Sequence, residues 1–250
     1  MAQPAVVTYE DDTWLSRDVL DAGGGNRLLR DLPEHEAAIV ESTFETVELE
    51  SMDEIAAPGD VIEWVHFPDT AVISLITLVN GNGIEALTVG RDGMGSLPLA
   101  AGAKTSFVRI VCQIPGRARR VGAETFLDIL GSMPELQRRL SLYSQLAFDV
   151  TSQSAACNRV HVTEERCARW LLMSQDRAGR DEFKLTQSFL SQMLGVRRPA
   201  VTVAVGALER SGLIAHRRGR IRITDRPGLE AAACECYSRI RNRQKELLGF

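Results

Sequence analysis

The chain has 250 residues, 44% of them hydrophobic, enough for a sizeable core and too many for wholesale disorder. No run approaches the roughly 18 consecutive apolar residues of a membrane-spanning helix, so no membrane partner is expected. The net charge of −4 hides an asymmetry: from Val162 onward 17 basic residues stand against 10 acidic ones, a net +7, while the rest carries 12 against 23, a net −11. A basic C-terminal part can release counterions from nucleic-acid phosphates, which would repel the acidic part.

The first 26 residues are polar, end in Gly23-Gly24-Gly25, and read as an exposed tail. They show neither the basic n-region nor the apolar h-region of a secretory signal. Asn26 to Phe44 has a helical apolar pattern, with Pro33 opening a second short helix. From Val47 to Arg120 the texture changes to short strand-like runs: 47–49, 61–65, 72–76, 85–89 and 108–112. Pro58-Gly59-Asp60, Asn80-Gly81-Asn82-Gly83, Asp92-Gly93 and Pro115-Gly116 supply the turns between them. Such spacing predicts an antiparallel barrel or sandwich rather than a parallel sheet.

The helical pattern returns with a short helix over Ala123–Leu130 and a long one from Pro134 to about Asn158. Leu136, Leu140, Tyr143, Ala147, Val150, Ser154 and Cys157 alternate in steps of four and three along the long helix. That heptad seam predicts pairing with the same helix of a second copy, leaving Leu142, Leu146 and Phe148 for the barrel; the alternative is a single amphipathic helix packed on its own barrel. Another helix runs from Thr163 to Gly179.

The most informative segment is Leu185–Leu208. Thr186 caps a helix whose apolar face holds Phe189, Leu190, Met193 and Leu194. Gly195 permits a tight turn, and Pro199 suits the first turn of a second helix that buries Val201, Val205 and Leu208. This is a helix–turn–helix, delivering Arg197 and Arg198 to the start of a recognition helix. Candidate base contacts are Arg197, Arg198, Thr202 and Val203. Ile221 and Ile223 then alternate with arginines, which predicts a two-stranded wing. Thr186, Arg217, Arg218 and Arg220 are the candidate phosphate contacts.

The order of barrel, long helix and Thr-capped helix–turn–helix with a wing resembles the Crp/Fnr family, the cyclic-AMP receptor protein and its relatives. The resemblance runs from about Arg27 to Asp225 and is strongest over Thr186–Ile223. It implies an α+β chain: an N-terminal cyclic-nucleotide-binding-like jelly-roll barrel (27–133), a dimerisation helix and hinge (134–160), and a C-terminal winged helix–turn–helix (161–250). It further implies a homodimeric transcription regulator on a near-palindromic operator, with RNA polymerase and a small-molecule effector as further candidate partners.

Two departures from the family bear on that expectation. The phosphate cassette of cyclic-AMP-binding members appears here as Gly95-Ser96-Leu97 and Thr105-Ser106. Ser96 stands where the ribose-binding glutamate is expected, and Thr105 where the phosphate-pairing arginine is expected. Loss of that bidentate donor predicts weak or no cyclic-AMP binding. The cassette either cradles another ligand or is packed barrel. The recognition helix departs too, with Pro199 and Val203 at positions where many members carry Glu and Arg, so a different operator sequence is expected.

The five cysteines (Cys112, Cys157, Cys167, Cys234, Cys236) are odd in number and include no CxxC, and the four histidines lie far apart in sequence. These features fit a reduced cytosol, and neither a disulfide framework nor a metal or cofactor is expected. Cys234 and Cys236 lie in a helix-like run, which would point them to different faces, as packing residues first and thiol sensors second. No nucleophile–base pair or P-loop is visible, so an enzyme is not expected. The alternative to a DNA-binding regulator is a nucleotide-binding or protein-interaction module that uses the winged helix for docking.

Overall fold

A computed structural model describes residues 25–250. The polar tail therefore lies outside the described residues except for its last two. Of these, Asn26 is buried rather than exposed, and its side-chain amide donates to the carbonyls of Pro68 and Gly93 at 2.9 and 2.8 Å.

Helix α1 (Glu34–Thr43) starts after Pro33, and residues 27–31 before it form turns. Two antiparallel sheets follow. One pairs β1 (Glu45–Leu49), β7 (Gly116–Gly122) and β3 (Trp64–Pro68) in the order β1-β7-β3. The other has the order β2-β6-β4-β5, from β2 (Glu54–Ala56), β6 (Arg109–Ile114), β4 (Val72–Val79) and β5 (Asn82–Val89). The sheets form a jelly roll without closing into a barrel. The chain crosses between them at Pro115, where Gly116 lies so close to the Thr70–Ala71 backbone that a Cβ would meet it at 2.7 Å. Val65, Phe67, Val72, Ile73, Ile110 and Ile114 fill the interior.

Most predicted strands are present with longer bounds. The run 61–65 is displaced: β3 begins at Trp64, and Val61 makes only an isolated bridge to Thr105. Strand β7 escaped the pattern because it is rich in arginine; Ala118 and Val121 alone are buried along it. The β4–β5 hairpin turns at Asn80-Gly81, both at positive φ (50° and 77°), as an Asn-Gly hairpin turn requires.

Helices α2 (Leu97–Ala100) and α3 (Ala123–Leu130) precede the long α4 (Pro134–Val160). Leu136, Leu140, Tyr143, Ala147 and Val150 are 0–8% exposed within the single chain. Ser154 is half-buried, with Arg169 Nη1 at 3.4 Å from its hydroxyl. The expected dimer seam is therefore corrected: this face packs on the jelly roll and on the chain's own C-terminal helix. Heptad spacing marks a helix face that needs cover without naming what covers it. Phe148, assigned to the barrel, is instead 68% exposed on the opposite side.

Beyond the hinge come α5 (Thr163–Ala178), β8 (Glu182–Lys184), α6 (Gln187–Leu194), α7 (Arg198–Arg210), β9 (Ile214–Arg217) and β10 (Arg220–Ile223). The wing is a three-stranded sheet, β8-β10-β9, rather than two-stranded, because β10 pairs on both edges. The chain continues through α8 (Arg226–Ala232) and α9 (Cys236–Leu248). Helix α9 packs along α4, with Tyr237 and Ile240 buried and Arg243 paired with Asp149 at 2.7 Å.

Candidate nucleic-acid interface

Thr186 is extended (φ −87°, ψ 150°), and its hydroxyl accepts the Phe189 N–H at 3.2 Å. This cap starts α6, which ends at Gly195 in the left-handed region (φ 62°). A β-carbon favours neither that conformation nor the contact with Ile84 at 3.4 Å. Arg197 is then the extended N-cap of α7, with Pro199 in its first turn. Val201, Ala204, Val205 and Leu208 are buried, so α7 presents its other face outward.

Arg197, Arg198, Thr202 and Val203 all lie on that exposed face. Thr202 is not idle: its hydroxyl donates to Gln187 Oε1 at 2.8 Å, tying the recognition helix to α6. Val203, 68% exposed, offers a methyl surface. The positive end of the α7 dipole coincides with the two arginines, which favours an anion there.

In the wing, Arg217 and Arg218 flank the β9–β10 turn, where Arg218 (φ 48°) and Gly219 (φ 75°) are both left-handed. Arg217, Arg218 and Arg220 are exposed. Arg220 shares Glu182 with Arg222, at 3.5 and 2.7 Å. That carboxylate aims the inner arginines and removes part of their charge from the interface.

Comparison with known proteins agrees with this geometry. Residues 165–232 match the Crp-like helix-turn-helix domain family. The chain also superposes on FixK2 of Bradyrhizobium japonicum with a TM-score of 0.62 at 16% identity, covering 76% of this chain and 98% of that one. For a Crp/Fnr-family regulator of Eubacterium rectale the values are 0.61 and 18%, over 82% and 96%. For TTHB099, a CRP-family regulator of Thermus thermophilus, they are 0.61 and 17%, over 75% and 96%. The fold is that of the Crp/Fnr regulators, as expected. A sequence comparison with curated proteins finds no match.

The Crp-like domain is docked on the jelly roll through polar contacts that sequence reading did not anticipate. Trp170 of α5 donates its indole N–H to Glu85 of β5 at 2.8 Å. The same carboxylate accepts from Thr88 at 2.7 Å and Ser74 at 2.6 Å. Asp92 and Arg177 form an ion pair at 3.4 Å, each side chain only 7% exposed. Gly90 lets α5 approach, since a Cβ there would meet Arg177 Cβ at 2.3 Å.

Of the cassette residues, Gly95, Ser96 and Ser106 are buried. Ser96 donates to Trp64 O at 2.9 Å and Ser106 to Val108 O at 2.6 Å. The Gly95 N–H is taken by His66 O at 2.8 Å. Leu97 opens α2, and Thr105 is exposed beside Val61. The Ser96 and Ser106 hydroxyls are thus engaged with backbone carbonyls of the chain itself.

The expectation that Cys234 and Cys236 diverge needs correction. Ala233 is extended (φ −80°, ψ 150°), so α8 ends before Cys234 and α9 begins only at Cys236. Their sulfurs converge on Cys157 and His161, the four donor atoms lying within 4.8 Å of one another. The readable signal was the four-residue step from Cys157 to His161 beside a Cys-x-Cys pair.

Proposed function

We propose that the protein is a sequence-specific, homodimeric DNA-binding transcription regulator of the Crp/Fnr type. The observation that carries this reading is the Thr186-capped helix–turn–helix with Arg197 and Arg198 exposed at the start of α7, beside an arginine-bearing wing. Arg197, Arg198, Thr202 and Val203 are assigned to base edges. Thr186, Arg217, Arg218 and Arg220 are assigned to phosphates, which set register without reading sequence. Two recognition helices of a dimer would enter successive major grooves about 34 Å apart on a near-palindromic operator. Dimerisation uses the outward face of α4 around Phe148, since the opposite face is covered within the chain.

The units proposed are a sensor jelly roll over 27–133, a connecting helix over 134–160 and a DNA head over 161–250. The sensor does not use cyclic AMP, because Thr105 supplies no bidentate cation and Ser96 and Ser106 serve backbone carbonyls. An effector of other chemistry acts by changing the Glu85–Trp170 and Asp92–Arg177 contacts that hold the DNA head against the sensor. RNA polymerase is the natural partner once the head is on its operator.

The test is in-vitro selection of random duplex DNA with the purified full chain, at low and at moderate salt. Enrichment of a two-fold-symmetric site whose affinity falls steeply with salt supports the reading. No enrichment at low salt, with or without cell extract, overturns it in favour of a docking module.

A further inference from the structure

Four metal-ligating side chains from two distant segments meet where α4 ends. Cys157 lies in the last turn of α4 and His161 is its C-cap, four residues on and so on the same face. Cys234 and Cys236 arrive from the break between α8 and α9, more than 70 residues later in the chain. The sulfurs of Cys157 and Cys234 are 3.5 Å apart, and Cys236 Sγ is 3.7 Å from His161 Nδ1. Zinc–sulfur and zinc–nitrogen bond lengths give tetrahedral edges of about 3.8 Å between sulfurs and about 3.5 Å between sulfur and nitrogen. These two edges already match one tetrahedral ion's ligand shell, and with all four donors within 4.8 Å of one another a small inward shift completes it.

The surroundings are those of a metal site rather than of a thiol core. The three cysteines are 0–5% exposed and form a patch separate from the main apolar core. His161 turns Nδ1 to the thiols while its Nε2 lies 3.0 Å from the Glu235 carboxylate. A carboxylate behind the imidazole fixes the tautomer that leaves the other nitrogen free to ligate. Gln153 donates its amide N–H to Cys236 Sγ at 3.0 Å, which stabilises a thiolate.

We propose that Cys157, His161, Cys234 and Cys236 form a structural Zn2+ site that clamps the end of α4 to the start of α9. Three thiolates and one imidazole make a closed four-coordinate shell with no open position, so the ion is structural and not catalytic. Loading Zn2+ breaks the remaining S–H bonds and releases their protons to solvent. A disulfide would need the sulfurs at about 2.05 Å and would strand the third cysteine. An iron–sulfur cluster is held by cysteines around several metal atoms, whereas these donors enclose one. Cys234 and Cys236 lie beyond residue 232, where the Crp-like match ends. The clamp is thus carried by the C-terminal extension, and it fixes the hinge at 160–162 from which the DNA head is hung.

The full chain, purified under reducing conditions without chelator, is expected to carry one zinc per chain by plasma mass spectrometry. Replacement by Co2+ should give thiolate-to-cobalt charge transfer and tetrahedral d–d bands. Cys157→Ser and Cys236→Ser should each lose the metal, while Cys112→Ser and Cys167→Ser keep it. Glu235→Gln should weaken zinc about 10–100-fold. Folded wild-type chain, checked by circular dichroism, that holds no zinc after Zn2+ is added would overturn the proposal. So would iron in place of zinc, or a Cys157–Cys234 disulfide in the anaerobically purified protein. The wild-type cobalt spectrum decides the matter even if the cysteine variants fail to fold.

Discussion

Arg198 stands at the first turn of α7 with nothing covering it, next to Pro199, which cannot accept from a cytosine. Under the proposed function its guanidinium is assigned to a guanine edge. Arg198→Ala should weaken binding to the selected site by about 1–3 kcal/mol and relax preference at one base pair, measured by competition with single-base operator variants. A uniform loss across sequences would make Arg198 a phosphate contact instead. His66, in β3, illustrates a different residue-scale constraint. Burial, reinforced by Arg120, lowers its pKa from 6.5 to about 4. Between those values the unfolded chain binds a proton that the folded jelly roll refuses, so stability falls as pH drops from 6.5 towards 4. Urea midpoints across that window should show this slope, and His66→Gln should flatten it.

At the scale of elements, the fit of α4 against the jelly roll depends on the turn at Asp92-Gly93. A β-carbon at Gly93 would lie 2.0 Å from the Tyr143 hydroxyl. Tyr143 is 3% exposed, and burial pushes its phenol up, so it remains protonated. Gly93→Ala must displace the ring or the turn, and overpacking of this kind costs about 1–3 kcal/mol. Thermal unfolding should register that loss, and Tyr143→Phe should not relieve it, because the ring carbon Cζ would still lie 2.2 Å from the new Cβ. An unchanged transition would mean that α4 sits more loosely on the sensor than these contacts imply.

For the whole molecule, the deciding feature is the buried Asp92–Arg177 pair between the jelly roll and the helix–turn–helix part, the proposed DNA head. Removing one member leaves the other charge uncompensated in a dry interface. Asp92→Asn should therefore destabilise the chain by about 3–5 kcal/mol in urea unfolding. If the interface opens independently of the rest, two transitions should replace one. Trp170, hydrogen-bonded to Glu85 in the same interface, supplies the fluorescence that would report the head coming away. Under the proposed function, an effector acting through the jelly roll has to favour one state of this interface over another, whatever its chemistry.

The sequence by itself determined the local architecture. Thr186, Gly195 and Pro199 each impose a backbone conformation on their own neighbours, so the helix–turn–helix could be read without knowing what surrounds it. Asn80-Gly81 and the alternating strand runs placed much of the jelly roll for the same reason. Strand β7 stayed hidden because an arginine-rich strand carries little apolar alternation. The seam on α4 was visible as an apolar stripe, but a stripe records only that water must be excluded from it. Tertiary structure decided that the jelly roll and α9 cover it, which leaves Phe148 outward. For the Cys157–His161–Cys234–Cys236 cluster the sequence showed two half-motifs, but not that they meet, because they lie far apart in the chain. Local steric and hydrogen-bonding rules act over a few residues; which surfaces and donor atoms finally meet is set by packing across the whole fold.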